Sequence, residues 1–285
     1  MKILITGANG MLAKSVISKL SGEELILTDV DDLDITDREA VIKFVEENKP
    51  EYVINCAAYT AVDKAETAGE IVEKINAVGP ENLAIAANKI GAKLVHISTD
   101  YVFGGNLSID KCYLEDDEKA PVTEYGRTKL LGEQAIQNNL KEFYIFRTAW
   151  LYGDGNNFVR TMIKLGSSRD ELNVVADQHG SPTFADDLAE FIKEAIEKKI
   201  PYGVYHATNE GFTTWYDFTR KIFEKMNIQC KVNPVTTEEY IKMMNIVQAK
   251  RPENSQLSKE KLKATGIKVP EWEEALDRYL AKERK

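Results

Sequence analysis

The chain has 285 residues, of which 43% are apolar and 29% charged, a balance that excludes a disordered or collagen-like polypeptide. Its formal net charge of −9 repels polyphosphate at long range, so nucleic acid is not an expected partner. There is no apolar run of about 18 residues to cross a membrane, and Met1-Lys2-Ile3-Leu4-Ile5-Thr6-Gly7 leads straight into a patterned segment rather than a signal peptide. The cysteines Cys56, Cys112 and Cys230 form no C-x-x-C pair, and His96, His179 and His206 are widely separated. A cytoplasmic protein is therefore expected, with no disulfide framework and no metal site.

In chain order, Ile3-Leu4-Ile5, Leu25-Ile26-Leu27, Tyr52-Val53-Ile54, Leu94-Val95-His96-Ile97 and Phe143-Tyr144-Ile145-Phe146 are short apolar runs, as in strands buried on both faces of a parallel sheet. Helical spacing separates them. Val41, Phe44 and Val45 mark one helix; Ile71, Ile75 and Val78 begin another, which Leu83, Ala87 and Ile90 continue past Pro80. The alternation predicts an α/β fold with a doubly wound parallel sheet. The acidic and basic loop from Gly104 to Pro121 reads as a mobile connection. After Gly153 the rhythm changes, with helices expected over 187–198 and 215–226 and a strand at Val204-Tyr205-His206. In the tail, Pro270 reads as a first helical residue, with Trp272, Ala275, Leu276, Tyr279 and Leu280 on one face. The expected division is a dinucleotide-binding domain over 1–153 and a smaller C-terminal domain over 154–285.

Chemistry enters at Gly7-Ala8-Asn9-Gly10-Met11-Leu12-Ala13, between the first strand and the first helix. Glycines there let backbone N–H groups approach a pyrophosphate at the helix N-terminus, and Ala13 is small enough for close packing of helix on strand. An ordinary strand-to-helix turn would use the same residues. Asp29 ends the second strand, about 20 residues after the glycines, where a carboxylate can bond adenosine ribose hydroxyls and repel a 2′-phosphate. That favours NADH, with NADPH as the alternative. After the third strand, Asn55-Cys56-Ala57-Ala58 offers small residues over which a cofactor can pass. Ser98 and Thr99 place hydroxyls at the carboxyl end of the fourth strand, where they either donate to a substrate carbonyl or only cap the strand. Among twelve tyrosines only Tyr125 has a lysine, Lys129, four positions later, one helical turn away on the same face. An ammonium there would favour the phenolate and bring the tyrosine into the range of a proton shuttle.

These motifs together resemble the extended short-chain dehydrogenase/reductase superfamily. More narrowly, they resemble its dTDP-4-dehydrorhamnose reductases, through Arg147-Thr148-Ala149-Trp150-Leu151-Tyr152-Gly153 and Asp177-Gln178-His179-Gly180-Ser181-Pro182-Thr183. The resemblance implies a Rossmann fold with a C-terminal substrate-binding part and a segment near 177–209 that returns to the sheet. It implies Tyr125, Lys129 and Thr99 as catalytic residues: Tyr125 the proton donor, Lys129 on the nicotinamide ribose, Thr99 assisting. Gly7, Asn9, Gly10, Met11 and Leu12 would lie at the pyrophosphate, Asp29 at the ribose, and Asp34 and Ile35 near the adenine. Cys56, Ala57, Ala58 and Tyr59 would follow the cofactor. Thr60, Val62, Tyr101, Val102 and Trp150 would line the sugar side, and Arg160 is a candidate diphosphate contact.

The reaction so implied is hydride transfer to the 4-keto group of a dTDP-4-keto-6-deoxy sugar. The competing readings are a nucleotide-sugar epimerase or dehydratase, which recycles its nicotinamide, and a non-catalytic subunit that keeps the cofactor pocket. Oligomeric state is left open, a homodimer included.

Overall fold

The computed structural model describes residues 1–284. Six parallel strands form the central sheet in the spatial order Gly203–His206, Phe143–Thr148, Lys93–Thr99, Tyr52–Asn55, Lys2–Thr6 and Glu24–Thr28. Each apolar run faces both ways. Ile3, Ile5, Ile54, Val95 and Phe146 meet the helices Met11–Lys19 and Ala185–Lys198 on one side. Leu4, Val53, Leu94 and Ile145 meet Arg38–Asn48, Gly79–Ile90 and Glu124–Asn139 on the other. The chain is therefore α/β and doubly wound, with both sheet faces covered as parallel strands require. The second strand differs from expectation: it is the sheet edge, and Leu27 is 45% exposed because no strand lies beyond it.

The strand order reverses beside Lys2–Thr6, since the second strand lies on one side of it and the third on the other. Such a switch point leaves a crevice at the carboxyl ends of the strands. Its walls almost touch: a Cβ on Gly7, whose φ is +66°, would lie 2.7 Å from the Ala57 backbone, so only glycine fits. Pro80 is accommodated by a π-helical turn, Lys74–Val78, immediately before it.

A second apolar core lies beyond the strands' carboxyl ends. Helices Phe158–Gly166, Trp215–Met226 and Trp272–Glu283 bury Val159, Phe218, Ile222, Trp272, Leu276 and Tyr279 around Tyr152 and Phe184. The last helix starts later than Pro270 suggests. Glu271 is its N-cap, and the chain before it is held by hydrogen bonds from Glu210 and Asn209 to the Pro270 carbonyl.

The loop from Gly104 to Pro121 is anchored rather than free. Tyr113 stacks on Phe103 at 4.3 Å, and Asn254 donates to the carbonyls of Leu107, Ser108 and Lys111. The buried Glu115 carboxylate accepts from the His206 backbone.

Candidate active site

Helix Glu124–Asn139 begins at Thr123, whose hydroxyl accepts from the Gly126 N–H, and this cap sets Tyr125 in the first turn. The helix start is pressed against the end of the fourth strand so closely that a Cβ on Gly126 would lie 2.1 Å from the Tyr101 carbonyl oxygen. Farther along, Glu133 takes two hydrogen bonds from the Arg147 guanidinium, at 2.9 and 2.7 Å, and one from Ser98 at 2.5 Å. Arg147 and Glu133 are almost wholly buried, so this pair ties the helix to the fourth and fifth strands. It also separates the two hydroxyls at the strand end. Both line the cavity, but Ser98 is committed to Glu133, while Thr99 donates to Asp100 at 2.9 Å and accepts from the Tyr101 N–H.

That cavity, about 470 Å³, is lined by Gly10, Met11, Leu12, Cys56, Ala57, Ala58, Thr60, Val62, Thr99, Tyr101, Tyr125, Lys129 and Trp150. It continues past Gly10, Cys56, Ala57 and Ala58 into a cleft of about 280 Å³ that adds Gly7, Asp29, Asp34 and Ile35. Helix Met11–Lys19 enters from Gly10 with no side-chain cap, so its first N–H groups face the junction and suit a diphosphate. On the opposite side, past Tyr101, Trp150 and Trp215, lies a third hollow of about 440 Å³. The two indoles at this junction stack at 3.7 Å. Trp150 holds φ at +49°, a strained conformation for a bulky residue, which aims its ring into the passage.

The hydrogen bonds of Lys129 go to the sheet and not to the Tyr125 hydroxyl. Its Nζ donates to the Ile97 carbonyl at 2.6 Å and lies 3.2 Å from His96 Nε2. Burial brings the Lys129 pKa down to about 8, against the pull of Glu133 and Cys56. Burial also raises the Tyr125 pKa, with Asp100 adding to the rise and the Thr99 hydroxyl opposing it. Lys129 is not among the groups that move the Tyr125 pKa in this geometry, in which burial sets the direction. Asp100 itself is pushed up to about 6 by burial, although Ser255 and Thr99 hydrogen-bond to it.

The RmlD substrate binding domain family model matches residues 1–285. The chain belongs to this family. It is 40% identical to the dTDP-4-dehydrorhamnose reductase of Escherichia coli (strain K12) over 98% of this chain and 97% of that one. The dTDP-4-dehydrorhamnose reductase structure from Clostridium acetobutylicum superposes with a TM-score of 0.95 at 49% identity, covering 100% of both chains. The Bacillus anthracis reductase, solved in complex with NADP, superposes with a TM-score of 0.92 at 42% identity over 99% of each.

Not every residue expected at the site of this RmlD-family chain lines it. Val102 is fully buried beside Phe103, Tyr113 and Leu257, because the short 3-10 turn Asp100–Val102 points it inward while Tyr101 points to the cavity. Asn9 and Tyr59 act through their backbones: the Asn9 N–H donates to Asp29, and Tyr59 exchanges two hydrogen bonds with the Asn76 side chain. Arg160 is held by Glu283 at 2.7 and 2.8 Å, away from these hollows. The arginine that does face them is Arg251, which donates to the Tyr101 hydroxyl at 3.0 Å and to both oxygens of Asp63. Arg251, Trp215 and Gln178 were not singled out by sequence. No motif surrounds the first two, and Gln178 drew notice only as part of its block.

Proposed function

We propose that the protein reduces the 4-keto group of dTDP-4-dehydro-L-rhamnose to dTDP-L-rhamnose with a nicotinamide cofactor. The observation that carries this is the union of three hollows in one passage, with Tyr125, Lys129 and Thr99 at the middle. Toward the adenine end, the cleft beneath Gly7 and Asp29 suits a dinucleotide, whose diphosphate would meet the free N–H groups after Gly10. Toward the other end, the hollow under Trp150 and Trp215 has the size and aromatic surface for a nucleotide sugar. Arg251 is the candidate for its diphosphate.

When bound, the reduced nicotinamide supplies the hydride. Tyr125 gives its phenolic proton to the alkoxide that forms at C4, and Thr99 holds the carbonyl oxygen in line. With the cofactor bound, Lys129 would donate to the nicotinamide ribose and, as an ammonium, would favour the phenolate once the proton has left. Thr60, Val62, Tyr101 and Trp150 fix the sugar over the cofactor, which supplies orientation.

NADH is the preferred donor in this reading. Asp29 and Asp34 lie at the adenine end and no lysine or arginine lines that cleft among the described residues. The NADP complex of the Bacillus anthracis relative makes NADPH the alternative to test. The cytoplasm is the proposed location of such an enzyme; no described helix is long and apolar enough to cross a membrane. Incubation with the dTDP-4-keto sugar and NADH should consume the two in equal amounts. Turnover of sugar with no net loss of reduced cofactor would instead favour the epimerase or dehydratase reading.

A further inference from the structure

His96 lies on the fourth strand beneath Lys129, wholly buried, and has no part in the chemistry described above. Both of its ring nitrogens are engaged. Nε2 is 3.2 Å from Lys129 Nζ, and Nδ1 is 3.1 Å from the Asn55 amide nitrogen. The Asn55 orientation is fixed from its other side. The Ala57 N–H, which can only donate, points at Asn55 Oδ1 at 3.0 Å, and the Thr6 hydroxyl donates to the same oxygen at 2.8 Å. Oδ1 is thereby the acceptor, so the Asn55 NH₂ faces His96 and donates to Nδ1. A neutral imidazole that accepts at Nδ1 carries its proton on Nε2. Burial, the larger cause, holds His96 well below the usual histidine pKa, and a charged Lys129 lowers it further, so the ring is neutral in either state of the lysine.

The Nε2–H therefore points at Lys129. A neutral amine there accepts this hydrogen bond while donating to Ile97; an ammonium has no lone pair and meets N–H against N–H. We propose that His96 is a positioning residue for the reaction, locked by Ala57 and Asn55 as the Nε2–H tautomer, which holds Lys129 Nζ in place and weakens its hold on its proton. The other groups around Lys129 act in the opposite sense or not at all. Glu133, on the same helix, and the Cys56 thiol, at the end of the third strand, both favour the ammonium; Glu133 is largely satisfied by Arg147, and burial pushes Cys56 up to about 12. Tyr125, one turn earlier, is neutral in this geometry. Burial already brings the lysine down to about 8, and the His96 N–H acts in the same direction. Because Ala57, whose N–H orients Asn55, lies on the cavity wall, the same line connects the cofactor floor to Lys129.

The first arm of the test needs no catalysis and so stands apart from the reductase reading. Long-range proton–nitrogen NMR of the ¹⁵N-labelled protein, which has only three histidines, reads the His96 tautomer directly between pH 6 and 9. The expected result is protonated Nε2 and bare Nδ1 throughout; an Nδ1–H tautomer or an imidazolium overturns the proposal. In Asn55→Asp, a carboxylate oxygen replaces the donor, and the tautomer should switch to Nδ1–H.

The second arm rests on the reductase reading and follows the pH dependence of kcat/KM. The alkaline limb set by Lys129 should rise by roughly one to two pH units in both Asn55→Asp and His96→Leu. If only Asn55→Asp moves the limb, the cause is the added charge and His96 is not the mediator. An unmoved limb in both also refutes it. Should His96→Leu not fold, the tautomer of the unaltered protein still decides.

Discussion

Gly126→Ala is the smallest change that should separate stability from catalysis in this chain. The added methyl would sit 2.1 Å from the Tyr101 carbonyl oxygen and 3.2 Å from the Pro121 side chain. The carbonyl cannot retreat freely, because Tyr101 lies two residues past the end of a central strand and its N–H is bound to the Thr99 hydroxyl. Ordinary carbon–oxygen contact requires the helix start to back away by roughly 1 Å. Overpacking of this kind costs about 1–3 kcal/mol, too little to unfold a typical domain. The same 1 Å, however, carries Tyr125 away from Thr99 and from the ketone, and misplacement on that scale costs on the order of 10² in rate.

The expected outcome is a protein that unfolds cooperatively with a modestly lower denaturant midpoint and a kcat reduced about a hundredfold, measured by reduced-cofactor absorbance. Cofactor affinity should fall far less than kcat, since Gly7, Gly10 and Asp29 lie on other elements and Lys129 sits one turn beyond the displaced helix start. A kcat within twofold of the parent would show that the first turn of the helix is not what places the tyrosine.

Tyr125→Phe should keep the fold and lower kcat by roughly 10² to 10⁴, and near-normal turnover would remove the tyrosine from proton transfer. Arg147→Met leaves the buried Glu133 carboxylate without its partner, so urea unfolding should show a loss of about 3–5 kcal/mol; a loss below 1 kcal/mol would contradict the tie between helix and sheet. Asp29→Ala should narrow the preference for NADH over NADPH by roughly tenfold, equivalent to about 1.4 kcal/mol, and an unaltered ratio would place the carboxylate away from the ribose.

The parts of the site that were legible in the sequence are those set by local geometry. A strand, a glycine turn and a helix occur in succession at residues 2 to 19, and their order alone brings backbone N–H groups to the crevice. Tyr125 and Lys129 share a helical face by spacing, so their common cavity follows from one turn of helix. What spacing does not reveal is the far partner. Asp63 has no partner within its own helix, and Arg251, 188 residues later, closes on it. The loop from Gly104 looks free until Asn254 and Gln256 return to hold it. Val102 and Tyr101 are neighbours with opposite fates, one in the core and one on the cavity, because a 3-10 turn breaks the strand's alternation there. Spacing makes Lys129 a charge beside a phenol and His96 part of an apolar strand; only the fold puts the imidazole beneath the lysine.

The account stands most directly on where the hydride goes. With NADH carrying deuterium in its transferable position, the dTDP-sugar product should hold one deuterium at C4, in equal amount to the NAD⁺ formed. Product free of deuterium, or label recovered in the cofactor after the sugar has turned over, would contradict a reductase and point to an enzyme that returns its hydride.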